Sequence, residues 1–213
     1  MSPKAWFIVG AGDFGRECAS WAKAYSLLSG VPFAGFLADD ATSLDTHPHY
    51  RPGVVGPASA HAPREGAVYV MAISDPRAKL TVADILTSRG ARFVTVIHPS
   101  AILADHVTLG DGVVVCPNVV ISCDTRILDF VAINLGSTVG HDVRIGRGAT
   151  VSAHVDLTGH VTVDEGAFLG SHAVVLPKGR VGAYARVGAG SVVLRSVKPG
   201  VTVMGVPARQ VSA

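Results

Sequence analysis

From Ile97 to Val193 every sixth residue is Ile, Leu or Val, seventeen in succession, running through Leu103, Leu109 and Val139 to Val181, Val187 and Val193. Small or β-branched residues recur four places after an anchor, as at Thr125, Ser137, Ala149, Ala167, Ala173, Ala185 and Ser191. Glycine often follows the anchor directly, as at Gly110, Gly146 and Gly170. A period of six matches neither the 3.6 of a helix nor plain alternation along a sheet, so each unit is a short strand plus a corner. Such hexapeptides build a parallel β-helix. Three of them close a triangular coil of 18 residues, and the anchors predict a little over five coils in a prism roughly 27 Å long, stacked at about 4.8 Å. Anchors point inward, and the second and third residues of each repeat point outward. After Val193 the pattern breaks. Lys198-Pro199-Gly200 is expected to take the chain off the prism, and Gly205-Val206-Pro207-Ala208 to form a turn-rich cap.

Residues 1–96 follow another rhythm. An apolar run, Ala5 to Val9, ends in Gly10-Ala11-Gly12-Asp13-Phe14-Gly15. Helical spacing continues through Cys18, Trp21, Ala22, Tyr25 and Leu28 and stops at Gly30. A second strand, Phe33 to Ala38, leads to Asp39-Asp40, and Thr42 to Gly53 reads as a loop. Tyr69 to Ile73 is a third strand. Ser74-Asp75-Pro76 opens a helix that carries Leu80, Val82, Ala83 and Leu86 and ends near Gly90. Phe93 to Ile97 completes the alternation. The pattern predicts a small parallel α/β, Rossmann-like domain over residues 1–96, followed by the repeat domain over 97–213.

The G-x-G-x-x-G turn between strand and helix can present backbone N–H groups to a phosphate, and an acidic residue after the second strand is where a ribose hydroxyl is met. Fewer than 100 residues supply about one mononucleotide half. A nucleotide-bearing substrate therefore fits better than a full dinucleotide. Gly12, Asp13, Phe14, Gly15, Asp39 and Asp40 are the candidate contacts. A plain tight turn and a solvated acidic pair are the structural alternatives.

Hydrophobic residues make up 48% of the 213, enough to suggest buried subunit interfaces as well as a solenoid interior, but no apolar run reaches the length of a membrane span. The short apolar segment after Met1-Ser2-Pro3-Lys4 is too brief for a signal-peptide core. Cys18, Cys116 and Cys123 lack paired spacing. These features predict a cytoplasmic protein. A net charge of +2 without a basic block leaves no footprint for nucleic acid.

Within the repeats His141 holds the third, outward place, with Asp142 beside it to orient or charge-stabilise the imidazole. Gly159 lies 18 residues on, one coil away, where a backbone N–H is open to a ligand. Asn134 is a further outward polar group of the preceding repeat. His154, His160 and His172 raise the option of zinc between subunits, which requires convergence on one tetrahedral point. His154 and His172 would stack, and His160 would lie on the next face. No metal site is expected.

With both halves placed, the chain resembles the bacterial nucleotide-sugar acetyltransferases of the left-handed β-helix superfamily, which include sialic acid O-acetyltransferase and the bacillosamine and perosamine N-acetyltransferases. The resemblance rests on Ile8-Val9-Gly10-Ala11-Gly12 with Gly15, Gly35-Phe36-Leu37 with Asp39-Asp40, Ile97-His98-Pro99-Ser100-Ala101, the run Asn134 to Asp142, and Gly205-Val206-Pro207-Ala208. It implies a homotrimer, with acetyl-CoA as cosubstrate along the groove between prisms and a nucleotide sugar on the N-terminal domain. It further implies His141 as general base supported by Asp142, Asn134 holding sugar or intermediate, the Gly159 N–H polarising the thioester carbonyl, and Ser171, Ala189, Gly190 and Arg195 contacting CoA. Two positions depart from the family pattern. Asp13-Phe14 stands where relatives often carry histidine between the glycines, and Thr150 stands nine residues after His141 where several carry a second imidazole. The expected reaction is direct N-acetylation of a nucleotide-linked amino sugar. Sugar O-acetylation, a zinc hydratase and a non-catalytic nucleotide-sugar binding module are the alternatives.

Overall fold

The computed structural model describes residues 3–25 and 28–211. Met1 and Ser2, at the head of the segment read for an export signal, lie outside them, as do residues 26 and 27 of the first expected helical stretch. Strands β1 (Ala5–Val9), β2 (Phe33–Leu37), β3 (Val54–Gly56) and β4 (Ala67–Met71) form a parallel sheet in the order β3-β2-β1-β4. The central strand β1 pairs Trp6 with Val68 and Ile8 with Val70, and its apolar run is buried on both faces, as parallel strands require. Helix α1 spans Asp13–Trp21 and α2 spans Pro76–Ser88. The Asp75 carboxylate caps α2, accepting from the N–H groups of Arg77 and Ala78 at 3.1 Å each, with Pro76 in the first turn.

Three local expectations are corrected. The first helix stops at Trp21 and passes into a 3₁₀ turn, Ala22–Ala24, although Tyr25 and Leu28 remain buried. β3 was not foreseen, because three residues beside a Pro- and Gly-rich loop carry too little pattern to announce a strand. Phe93 to Ile97 is not one strand of this sheet. Phe93 only bridges Tyr69, and Val96–Ile97 already pairs with Val114–Val115 of the prism.

The repeats form a β-solenoid of two-residue strands on three flat faces. The first face begins at Val96–Ile97, the second at Ile102–Leu103 and the third at Thr108–Leu109, and neighbours in each face are parallel. Each anchor pairs with the anchor 18 residues on, as Val139 with Leu157 and Ile127 with Ile145. Anchors from Val115 to Val193 are at most 2% exposed. Among the earliest anchors, Leu103 and Leu109 are only half-buried and Ile97 is 37% exposed, since they line the open end of the prism.

The second residue of a corner lies in the left-handed region at all three edges. Gly136, Gly148 and Gly166 take this conformation, but so do Asn118, Asp124, Asp142, His154, His160 and His172. Asn, Asp and His tolerate that backbone better than other side chains. The corner turn therefore accounts for much of the histidine in this half of the chain.

The chain does not leave the prism after Val193. Ser196–Val197 pairs with Arg180–Val181, and Thr202–Met204 pairs with Arg186–Val187, so the last coil advances 16 residues rather than 18. The corner at 194–195 is shortened, which hides the coil from a strict six-residue count. Arg209–Gln210 then turns back antiparallel on Thr202–Met204 and closes the end.

The first face is covered by the N-terminal sheet and α2. Its outward residues Val96, Val114, Ala132 and Thr150 are buried, while Phe168 further along is half-buried and Arg186 exposed. Lys79 of α2 is fully buried there, donating to the Thr150 hydroxyl at 2.7 Å and the Ala149 carbonyl at 3.2 Å. Thr150 in turn donates to the Ser74 carbonyl at 2.7 Å. Thr150, nine residues after His141, is thus part of a clasp between the two halves.

Candidate active site

His141 and Asp142 occupy the corner between the second and third faces, after strand Thr138–Val139 and before Arg144–Ile145. His141 Nδ1 lies 2.8 Å from Asp142 Oδ2. That hydrogen bond holds the Asp142 carboxyl below its ordinary range, and the neighbouring imidazoles act in the same direction. With the Nδ1 proton facing the carboxylate, the lone pair is on Nε2. Gly159 stands directly along the coil axis. A methyl on its Cα would sit 2.6 Å from His141 Nε2 and 2.7 Å from Cε1, so the imidazole occupies space that only glycine leaves open. Among the described residues the Gly159 N–H has no backbone acceptor, while its carbonyl accepts from Lys178 N–H at 3.0 Å. Arg195 lies exposed on the same edge, near the top of the prism.

The remaining candidates gather at the opposite edge of the second face. Asn134 ends the strand Ala132–Ile133 on the first face, so Thr138–Val139 separates it from His141 and one chain does not bring the two together. Asn134 faces α1 instead. Its Oδ1 accepts from the Leu135 N–H at 2.7 Å, and its amide lies near Glu17, whose carboxyl is raised by partial burial and drawn partly back by Asn134. Ser171, Ala189 and Gly190 stack above on this same edge, with Gly190 N–H donating to the Ser171 carbonyl at 2.8 Å.

In the glycine turn, Gly12 is the N-cap of α1 without a side-chain cap, and a methyl there would meet nothing within 4 Å. A methyl on Gly15 would lie 2.1 Å from the Gly10 carbonyl oxygen, so Gly15 serves helix packing. Phe14 points into the core at 7% exposure. Asp13 is exposed and ion-paired with Arg16, which also reaches His47. Asp39 and Asp40 already brace loops. Asp39 accepts from the N–H and hydroxyl of Ser59 at 2.9 Å, and Asp40 from those of Thr42, which hold its carboxyl low.

No family model matches the chain. GDP-perosamine N-acetyltransferase from Escherichia coli O157:H7 is 34% identical over 155 residues, 70% of this chain and 70% of that protein. The chain belongs to this nucleotide-sugar acetyltransferase family. The family's enzymes are acyltransferases. PerB from Caulobacter crescentus, solved with CoA and GDP-perosamine, superposes over 98% of this chain and 97% of its own, with a TM-score of 0.85 and 32% identity. The acetyltransferase domain of PglB from Neisseria gonorrhoeae FA1090, solved with acetyl coenzyme A, gives a TM-score of 0.86 at 25% identity, covering 98% of this chain and all of that domain.

Two neighbours of the candidate residues were not read from the sequence as such. His160 lies one face on from His154 and His172, as expected, and its place beside His141 is the addition. It sits beside the catalytic candidates, its ring centroid 5.0 Å from that of His141 at 87° and its Nδ1 3.8 Å from Asp142 Oδ2. Its signal was present, since residue 160 is one coil and one residue beyond His141. Glu17 had none, because its meeting with Asn134 depends on how α1 docks against the prism. The trio His154, His160 and His172 does not converge. His154 and His172 stack at the far edge, 5.0 Å apart and 14° from parallel, with the second face between them and His160. Among the described residues His141, Asp142 and His160 are the one group of such ligands within 4.8 Å of one another. Cys18 and Cys116 are buried, and burial pushes both thiols up, away from the thiolate a nucleophile needs.

Proposed function

We propose that this enzyme moves the acetyl group of acetyl-CoA onto the amino group of a nucleotide-linked amino sugar by direct attack, with His141 as the base. The observation that carries the reading is the His141 imidazole held at Nδ1 by Asp142 with Nε2 over Gly159. The acceptor nitrogen bonds to the acetyl carbon and the thioester C–S bond breaks. The proton lost by nitrogen passes to His141 Nε2 and from there to the departing sulfur. Asp142 stabilises the imidazolium in between, and the Gly159 N–H is the donor for the carbonyl oxygen as charge grows on it.

On this reading the solenoid is a left-handed β-helix and the N-terminal unit, residues 1–96, is a Rossmann-like nucleotide-sugar domain. The Gly12 and Asp13 end of α1, Gly15, the Phe14 backbone, Asp39 and Asp40 receive the nucleotide. Ser171, Ala189, Gly190 and Arg195 receive CoA. The assembly is a homotrimer. Its support is that Asn134, Ser171, Ala189 and Gly190 lie on one edge of the second face and His141, Asp142, Gly159 and Arg195 on the other, so a groove between two prisms is what unites them. The unpaired cysteines and substrate class fit a cytoplasmic enzyme, and no helix of the described residues is long and apolar enough to cross a membrane.

The test is thiol release from acetyl-CoA across a panel of GDP-, UDP- and dTDP-linked amino sugars and their hydroxyl counterparts. Release with an amino sugar is expected, and His141→Asn should lower kcat by about 10²–10⁴-fold. Near-wild-type turnover in that variant removes the base assignment. Release with hydroxyl acceptors alone replaces N- with O-transfer.

A further inference from the structure

His160 is unused in the transfer chemistry above, yet it shares the carboxylate on which that chemistry depends. The Asp142 oxygen that takes the His141 Nδ1–H is also the one 3.8 Å from His160 Nδ1. The side chains of His141 and Asp142 are 54% and 47% exposed. An exposed imidazole–carboxylate pair competes with water and is weakly held by itself. His160 lies on the next coil at the same corner place as Asp142, both in the left-handed backbone region at φ +61° and +58°. Backbone rungs fix this stacking, His160 N–H donating to the His141 carbonyl at 2.9 Å and Asp142 N–H to the Cys123 carbonyl at 3.2 Å. Gly159, lacking a side chain, lets the His141 ring lean far enough along the axis to meet His160 edge to face.

We propose that His160 is a positioning residue, which confines the Asp142 carboxylate to the Nδ1 side of His141 and so keeps the Nε2 lone pair directed over Gly159. At 3.8 Å the contact is longer than a hydrogen bond. Its effect is to wall off the carboxylate's other rotamers and to set an N–H edge toward it. The proposal rests on His141 acting as the base, and His160 itself touches neither reacting atom.

The test compares His160→Gly, which removes the side chain and suits the left-handed corner, with His160→Asn, which suits it too and keeps an N–H donor. Nitrogen-15 NMR of the imidazoles, without substrate, should show His141 protonated at Nδ1 in the wild type, a tautomer mixture in His160→Gly and recovery in His160→Asn. In kinetics, His160→Gly should lower kcat by about tenfold while each KM changes by less than about twofold, and His160→Asn should restore most of the loss. Identical tautomers and kcat in wild type and His160→Gly would overturn the proposal, as would a rise in KM at constant kcat, which marks a ligand contact. The NMR arm needs no substrate. Failure of the transferase reading would appear as a wild type without turnover whose tautomer contrast with His160→Gly persists.

Discussion

Gly159 serves the site by what it lacks. A methyl placed there would stand 2.6 Å from His141 Nε2, and the imidazole would have to swing off its bond to Asp142. The Gly159 backbone is not in the left-handed region, so alanine fits the chain itself, and the N–H is retained. Gly159→Ala should therefore lower kcat by about 100-fold through misplacement of the base. Its melting temperature should stay within about 2 °C of wild type, as expected for a change of a few tenths of a kcal/mol. Steady-state kinetics beside thermal unfolding checks both, and full activity would show that the ring has no need of that space. Counting by 18 is enough to set His141, Asp142 and Gly159 together. Asn134, an outward polar group of the preceding repeat, falls on the opposite edge instead, because one hexapeptide turns the chain by a whole face.

Among the elements, the docking of α2 on the first face carries an unusual burden. Lys79 is buried between Thr150 and Ala149, and burial lowers its ammonium pKa to about 7, against about 10.4 for an exposed lysine. Below pH 7 the amine is charged in both states, and folding bears the desolvation. Between about pH 7 and 10.4 the unfolded chain holds a proton that the folded one releases, so the contribution of Lys79 to stability rises with pH across that window. Methionine leaves no orphaned acceptor, since the Ala149 carbonyl also accepts from Ala132 N–H and the Thr150 hydroxyl donates to Ser74. Lys79→Met should exceed wild type in stability by about 1–4 kcal/mol at pH 6. The gain should shrink toward pH 9. Urea unfolding of the pair at both pH values tests this, and a difference that ignores pH would contradict it. The strands of the prism were legible because each repeat buries one anchor. β3, the 3₁₀ turn and the 16-residue last coil were not, because contacts with distant segments rather than local pattern define them.

At the scale of the whole molecule, the three prism faces are unlike one another. The first lies under the N-terminal half, the third presents exposed Arg126, Arg144 and Arg180, and the second exposes Ile102 at 62% and Val120 at 40%. The second face also runs between the two edges that hold the two groups of candidate residues. In the proposed homotrimer that face, apolar at Ile102 and Val120, would meet a neighbouring prism, and cyclic closure would give three equal grooves. No hexapeptide count shows this, because the period describes only what a chain buries against itself. Complementation makes the division measurable. His141→Asn should inactivate one edge and Asn134→Ala weaken the other, and neither trimer alone should turn over substrate at more than a small fraction of the wild-type rate. In trimers co-assembled from equal amounts of both variants, a groove is intact when an unaltered His141 edge meets an unaltered Asn134 edge. Random assembly makes that about one groove in four, so co-expressed protein should regain about a quarter of wild-type activity. Variants purified separately and mixed without subunit exchange should regain none. Activity that stays at the level of the single variants after co-assembly would mean that each chain completes its own site.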